Sequence, residues 1–485
     1  MDKVKIKRGA WLACACVAAV AFVAATVTPR RAAAFANSGP SKEFGVTASG
    51  IIVREEGSAL AVERERLVFD LQDFPEPYYG ETPTEYEASV TAEYTFVNTS
   101  GNTVHTSMAF PICVKPYYAY GYEEENYYPD TPTITVDGSV IDCEVRHTYN
   151  AYKNFDESVA DIYDGWYEDG FYSPDLPVTA FCVALDKESD YRLSTGEFSR
   201  VVAKGRVTCG AGARFMCPDF DSLNGDMRFY FSSNPNYSNI YTFYVLGDAS
   251  QFSCEWRVEK NFTDITFADK KTDLKVEATE EGATTLKELI LSKRGEKHTV
   301  SEQDYYNAFA LNFLTDGGAS AEAGYAGFAF TLDERNFCTW YTYETEVAPY
   351  GKIVNSVTAP MYPTIMFTYR PYKYEYVYYL SPAAKWKYFE ELEIEIKTPF
   401  FLSDAPAGFE RTESGYRAVF DGLPQGELSF KLCAEERPLT KILGFWIDGA
   451  KFRRTLSVAF SVLGGVAAGA VAIVVTVILV KKYKK

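Results

Sequence analysis

Histidine is nearly missing: His105, His147 and His298 are the only three in 485 residues. They stand far apart, so no Ser–His–Asp set can be drawn from spacing, and structural or surface roles are expected for all three. No C-x-x-C occurs, which removes the usual zinc and dithiol motifs. No L-P-x-T-G pattern occurs either, so covalent anchoring to a cell wall is not expected. Basic residues are outnumbered, 48 Lys+Arg against 66 Asp+Glu. The two ends, 1–36 and 451–485, hold 13 of the basic residues and one acidic one; residues 37–450 keep 35 and 65, a net charge near −30. A surface that negative repels phosphate backbones, so nucleic acid is not an expected partner. With acids this numerous, no carboxylate pair stands out in a frame that would suggest glycoside hydrolysis. No catalytic residue, cofactor or metal ligand is nominated, and the chain is not expected to be an enzyme.

Charge is also absent from one long stretch. Thr455 to Val480 reads TLSVAFSVLGGVAAGAVAIVVTVILV and is followed by Lys481, Lys482, Tyr483, Lys484 and Lys485. As a helix it would run roughly 39 Å, enough for a hydrocarbon core of about 30 Å. At the other end Lys3, Lys5, Lys7 and Arg8 precede an apolar run from Gly9 to Val27, and Ala34-Phe35-Ala36 follows. Basic, apolar and small-residue regions in that order make a secretory signal peptide with Ala34 and Ala36 at the cleavage site. Cys14 and Cys16 sit near the start of the run and are read as part of it. Residues 37 to about 450 are therefore expected outside, with a single-pass anchor and a cytoplasmic C-terminus at the cell membrane. Gly465 and Gly469 form a G-x-x-x-G, a spacing that lets two helices approach and offers a route to a homodimer.

Between the ends, 36 Tyr and 34 Phe and few long helical patterns point to a β-rich extracellular protein. Eight cysteines remain there, Cys113, Cys143, Cys182, Cys209, Cys217, Cys254, Cys338 and Cys433, which allow disulfides in many pairings. Ala88, Val90, Ala92, Tyr94 and Phe96 alternate with polar neighbours, and 98–102 offers a turn before 104–110, so a hairpin is expected. Asp137-Gly138 suits a type I′ turn in a second one. Thr285 to Leu291 and a segment capped by Ser301 are expected helices, with Asp304 in the first turn of the latter. Ser381-Pro382 should open a short one, serine as cap. Tyr372, Tyr374, Tyr376 and Tyr378 share one strand face. Asp219, Asp221, Asn224, Gly225 and Asp226 lie close together. The glycine is one place late for an EF-hand and Tyr230 stands where glutamate is required, so this is read as an Asn-Gly turn.

The expected fold is mainly β: two β-sandwich-like regions with a small helical insertion, plus the C-terminal transmembrane helix. The expected divisions are a signal peptide 1–36, an N-terminal β-rich ectodomain 37–270, a helical insertion and linker 271–325, a C-terminal sandwich-like domain 326–435, a membrane-proximal segment 436–454, the span 455–480 and a tail 481–485. Tyr94 to Pro111 and Tyr343 to Pro360 echo each other as strand, glycine turn, strand and proline, read as two units of one kind.

The succession VREEGSALAVERERLVFDLQDFP, VTAEYTFVNTSG with MAFPI, YSPDLPVTAF, and YVYYLSPAAKW with EIEIKTPFFL resembles uncharacterised Gram-positive surface proteins. The resemblance implies a signal peptide, a β-rich ectodomain and one C-terminal transmembrane helix, and no activity. The chain is read as a membrane-anchored binding or structural protein of the bacterial surface with a protein or glycan ligand. A surface hydrolase of envelope or host glycans, and a membrane sensor or assembly subunit, are the alternatives. Tyr117, Tyr118, Tyr120 and Tyr122, beside three glutamates, form the expected partner-contact loop.

Overall fold

The alternation at 88–97 becomes a strand, Ser89–Asn98, with Val90, Ala92, Tyr94 and Phe96 turned into the core. The structure, a computed structural model, describes residues 42–448 except 44–47, 50, 54–58, 76–85, 114–130, 150–158, 198–199, 209–211, 218–220, 224–225, 261–272, 296–298, 313, 315–331, 333–336 and 443–444. Met1–Lys42 separates as one unit and Glu43–Lys485 as another; the elements below belong to the second. It is mainly β. The expected signal peptide, tyrosine loop, glycine pair and transmembrane span all lie outside the described residues. Among the described residues no helix is long and apolar enough to cross a membrane.

Eight described strands make the largest sheet. Its centre runs Gly415–Asp421, Phe389–Lys397, Leu60–Asp70, Ser89–Asn98, Lys352–Pro360 and Thr133–Val136. Neighbours are antiparallel except Phe389–Lys397 beside Leu60–Asp70. A second sheet, with Lys373–Tyr379 beside Leu428–Cys433 at its centre, shares one apolar core with it. Phe69, Tyr94, Phe96, Tyr376, Tyr378 and Phe430 are all buried there. Phe69 meets Phe430 edge-on at 5.2 Å, and Tyr376 stacks on Phe430 at 5.4 Å. Each such ring contributes roughly 1.5–3 kcal/mol by burial. Tyr374, Tyr376 and Tyr378 thus share a face for packing.

The pairing redraws the expected divisions. Strands from 37–270 and from 326–435 alternate within one sheet, so these stretches do not make separate sandwiches. Nor does the 88–110 hairpin close. Val104–Cys113 leaves for another sheet, between Ile52–Val53 and Phe337–Val347, with Glu144–Tyr149 at the far side. The reason lies at the turn. The Asn98 side chain is fully buried and donates to the carbonyls of Asn102, Val347 and Ala348, which bends the chain out of its first sheet. The echo at 343–360 does the same. Phe337–Val347 and Lys352–Pro360 lie in different sheets, and each pairs with its counterpart from the first arch. Two strand–turn–strand arches therefore cross-pair, stitched at their corners by Tyr350 N to Ser100 O and Asn98 N to Gly351 O.

The chain between these arches carries its own sandwich of two four-stranded described sheets. One runs Ala213–Met216, Tyr241–Gly247, Pro177–Leu185, Val276–Thr285; the other runs Asp221–Leu223, Asp226–Ser232, Arg200–Thr208, Ser253–Lys260. Val201, Ala203, Phe229, Phe231, Phe243 and Val258 form its core. Gly205 stands opposite Trp256, and a Cβ there would lie 2.5 Å from the indole, so only glycine fits. The helices Leu286–Leu291 and Glu302–Phe309 follow; Ser301 caps the second as expected, and Thr285, read as the first residue of the other helix, is its cap. A helix at Lys187–Ser194, capped by Asp186, was not expected. The Asp137-Gly138 turn forms, both residues at positive φ. Ser381 does not cap its short helix. The Glu427 carboxylate takes the free N–H groups of Leu380 and Ser381, and a charged acceptor bonds more strongly than a hydroxyl.

Candidate anion-binding face

Alternation sorts the Arg200–Thr208 sheet into two faces. Val201, Ala203, Phe229, Phe231 and Val258 point into the aromatic core, so 202, 204 and 206 share the opposite face with 228 and 230 and with 255 and 257. The register then sets Arg257, Lys204 and Arg228 in one row across three strands, with Asp221 at its end on a fourth. Directly opposite residues are about 4.5–5.5 Å apart at Cα, and like charges so placed repel. Arg206 lies one row away opposite Glu255, and Arg200 on the other side opposite Ser232. Lys204 and Arg228 are only 8% exposed, while Arg200, Arg206 and Arg257 are exposed. The row thus runs from a sheltered centre to an open rim. Two unit charges some 7 Å apart in partly buried surroundings repel by roughly 2 kcal/mol. Five cations on one face of a chain this acidic are suited to holding an oxyanion. Sequence reading missed them because they are scattered over 58 positions; only the register gathers them.

Elsewhere among the described residues Glu65, Asp304 and Glu393 are buried carboxylates, and the first two contrast. Asp304, in the first turn of its helix, turns back onto Glu144–Tyr149. Arg146 donates to it twice, at 3.1 and 3.0 Å, and the His147 N–H donates at 2.8 Å. Arg146 also reaches Asp164 and the Tyr163 carbonyl, and Asn307 bonds Tyr163, Gly165 and Tyr167. Burial alone would raise the Asp304 carboxyl. The hydrogen bonds from His147 and Arg146, with the guanidinium charge, outweigh it and hold the group below the usual range. Such a saturated carboxylate is a poor base and a good clasp. His147 is held in this clasp, packed edge-on to Phe337.

Glu65 is the opposite case. It is fully buried in the main core, 3.2 Å from the Tyr378 hydroxyl, which lies 3.0 Å from that of Tyr94. Its Oε2 has no hydrogen-bond partner among the described residues. Desolvation pushes its pKa up to about 7, although the tyrosine hydroxyls pull the other way. A bulge between Val62 and Arg64 puts it there, shifting the inward positions from 60 and 62 to 65, 67 and 69. The change of parity between Val62 and Leu67 was the available signal.

The other expected residues are placed as follows. His105 is exposed, 3.7 Å from Glu346. His298, Asp219, Asn224 and Gly225 lie outside the described residues, while Asp221 and Asp226 begin adjacent strands. Among the described residues no three His, Cys, Asp or Glu side chains gather for a metal ion.

No family model matches the chain, and no curated protein matches it. One solved structure, a Legionella pneumophila protein provisionally described as nutrient-binding, is 11% identical at a TM-score of 0.35, covering 81% of this chain and 72% of its own. A TM-score of that size is below the level at which a common fold is shared.

Proposed function

We propose that the chain is an exported, membrane-anchored binding protein whose inserted sandwich takes a ligand bearing a phosphate, sulfate or carboxylate group. The observation that carries this reading is the Arg257–Lys204–Arg228 row in an ectodomain of net charge near −30. A small anionic group suits it better than a long polyanion. Beyond a Debye length of about 8 Å the acidic surroundings are screened, whereas a polymer would lie against them. Export and anchoring rest on the signal-like residues 1–36 and the uncharged 455–480. A single glycan chain carrying one acidic sugar satisfies both the charge and the setting.

The test is calorimetric titration of the detergent-solubilised full chain with inorganic phosphate, at constant ionic strength. Saturable binding that weakens at least about tenfold in Arg257→Ala, one lost contact of roughly 1.4 kcal/mol, supports the reading. Binding equal in wild type, Arg257→Ala and Arg206→Ala, or no binding at all, overturns it. Protease accessibility of the ectodomain on intact cells tests the location separately.

A further inference from the structure

We propose that Arg214, stacked in a corner made by Phe171 and Tyr172, is a receptor for the carboxylate of a small organic acid. Its strand, Ala213–Met216, is an outer strand of its described sheet. Ala213 and Phe215 turn into the core of the inserted sandwich and Met216 packs with the helices, so Arg214 stands on the Met216 face. There its guanidinium carbon lies 4.2 Å from the centre of the Phe171 ring and 4.7 Å from that of Tyr172. The two rings meet edge-on, 5.0 Å apart at 88°, so the planar guanidinium is held on two sides. The corner is itself fixed. Asp169 Oδ1 accepts the N–H groups of Phe171 and Tyr172, both at 2.6 Å, and the Tyr172 hydroxyl donates to the Leu314 carbonyl at 3.0 Å.

This cation has no counter-ion. Arg64, Arg66, Arg146, Arg192 and Arg417 each form an ion pair with a carboxylate. Among the described residues Arg214 forms none, in a sequence that holds 66 Asp+Glu. Asp169 feels its charge, but that carboxylate is already engaged by two backbone N–H groups and the Tyr167 hydroxyl. The Tyr172 hydroxyl beside the guanidinium is a neutral partner. Arg214 is half-buried, and none of its nitrogens is shut away without a partner, so its unused N–H groups reach solvent. A guanidinium laid on aromatic faces keeps its fork in one orientation, and that fork matches the two oxygens of a planar carboxylate. Because the side chain is ordered beforehand, less freedom is lost on binding. The nearby Asp169 charge favours a singly charged group over a doubly charged phosphate. The half-buried Phe171 ring offers apolar surface to the carbon body of the ligand. The corner belongs to the other sheet of the inserted sandwich from the Arg257–Lys204–Arg228 row, and the inference stands whether or not that row binds.

The experiment titrates the detergent-solubilised full chain by calorimetry with D-glucuronate and with N-acetylglycine, at constant ionic strength, with D-glucose as the uncharged control. The expected result is saturable binding of an acid and none of glucose. It should be at least about tenfold weaker in Arg214→Lys, which keeps the charge and loses the fork, and unchanged in Arg257→Ala. Tighter binding of glucuronate would make the source a sugar acid; tighter binding of N-acetylglycine would make it an acylated amino acid. A readout on wild type needs no variant to fold: phenylglyoxal should label Arg214, and saturating acid should protect it, as mapped by mass spectrometry. No saturable binding of either acid, equal binding in wild type and Arg214→Lys, or labelling that the acid leaves unchanged overturns the proposal. Binding lost in Arg257→Ala and kept in Arg214→Lys overturns it too, while leaving the cation row standing.

Discussion

Glu65 and Asp304 are both carboxylates removed from water, and the protein treats them in opposite ways. Asp304 meets a guanidinium, a peptide N–H and a histidine, and stays ionised below the usual range. Glu65 meets two tyrosine hydroxyls and an apolar wall, and its proton is held up to about 7. Burial is common to both; the supply of charged donors is what differs. The lesson is that depth alone does not decide the protonation of a buried acid. The clasp at Asp304 fastens a helix to a strand, while Glu65 lies between sheets already held by aromatic packing.

The sharpest break in this contrast is Arg146→Ala. It strands Asp304 in the interior without its cation, and the loss should be about 3–5 kcal/mol in urea denaturation, as for other broken buried pairs. A loss under 1 kcal/mol would show that the clasp is held by something else. Next comes Glu65→Gln. The folded pKa near 7 lies above the ordinary value of 4.5. The native state therefore binds the extra proton between these values, and the cost of Glu65 grows as pH rises from about 4.5 and levels off above 7. The variant should be more stable than wild type by up to roughly 3 kcal/mol at pH 8.5 and about equal at pH 4, read from melts across pH. Asp304 has the reverse sign: its contribution is present above the ordinary carboxylate value and is lost as pH falls below it. A Glu65→Gln difference that did not change with pH would end the contrast.

Tyr378→Phe should act in the opposite direction and on a smaller scale. Removing one donor from Glu65 should cost about 1 kcal/mol at pH 8.5 and move the Glu65 titration further upward, measurable by carboxyl-resolved NMR. The smallest effect belongs to an acid at the surface. Lys352 pairs with Glu63 at 2.5 Å, both well exposed, and Lys352→Ala should change stability by under about 1 kcal/mol and only at low salt. A larger change would mean that exposed pairs on this sheet behave as the buried clasp does.

What was legible in the sequence was local. The Asp137-Gly138 turn, the Ser301 cap and the alternation at 88–97 each depend on a few neighbouring residues. Pairing was not legible, because Arg64 and Glu393 lie 329 positions apart and nothing near either one names the other. The same holds for the cation row, whose members come from three strands. Asp304 was read for its place in a helix turn, where an acid is favoured anyway, and that sufficient reason hid the second one. The repeat of strand, turn and strand was visible; that its copies pair with each other, instead of each closing on itself, depends on where Asn98 sends the chain. The polar strand Val276–Thr285, largely exposed, carries too little alternation to be read as one.

The crossed arches also set an order of events. Leu60–Asp70 and Ser89–Asn98 pair with each other, but the neighbour on the other side of each lies in residues 352–397, so the main sheet cannot close until most of the chain has been made. The inserted sandwich needs nothing outside 177–285 for its strand pairs. Long-range closure is slow and local closure fast, so the part that emerges in the middle should fold first and wait, with the early strands left open on either side of it. Pulse-labelled chains truncated after Leu332 should show protected amides in Arg200–Thr208 and none in Leu60–Asp70. During synthesis the first-made strands are thus the most exposed to wrong partners, and the finished molecule is assembled from its middle outward.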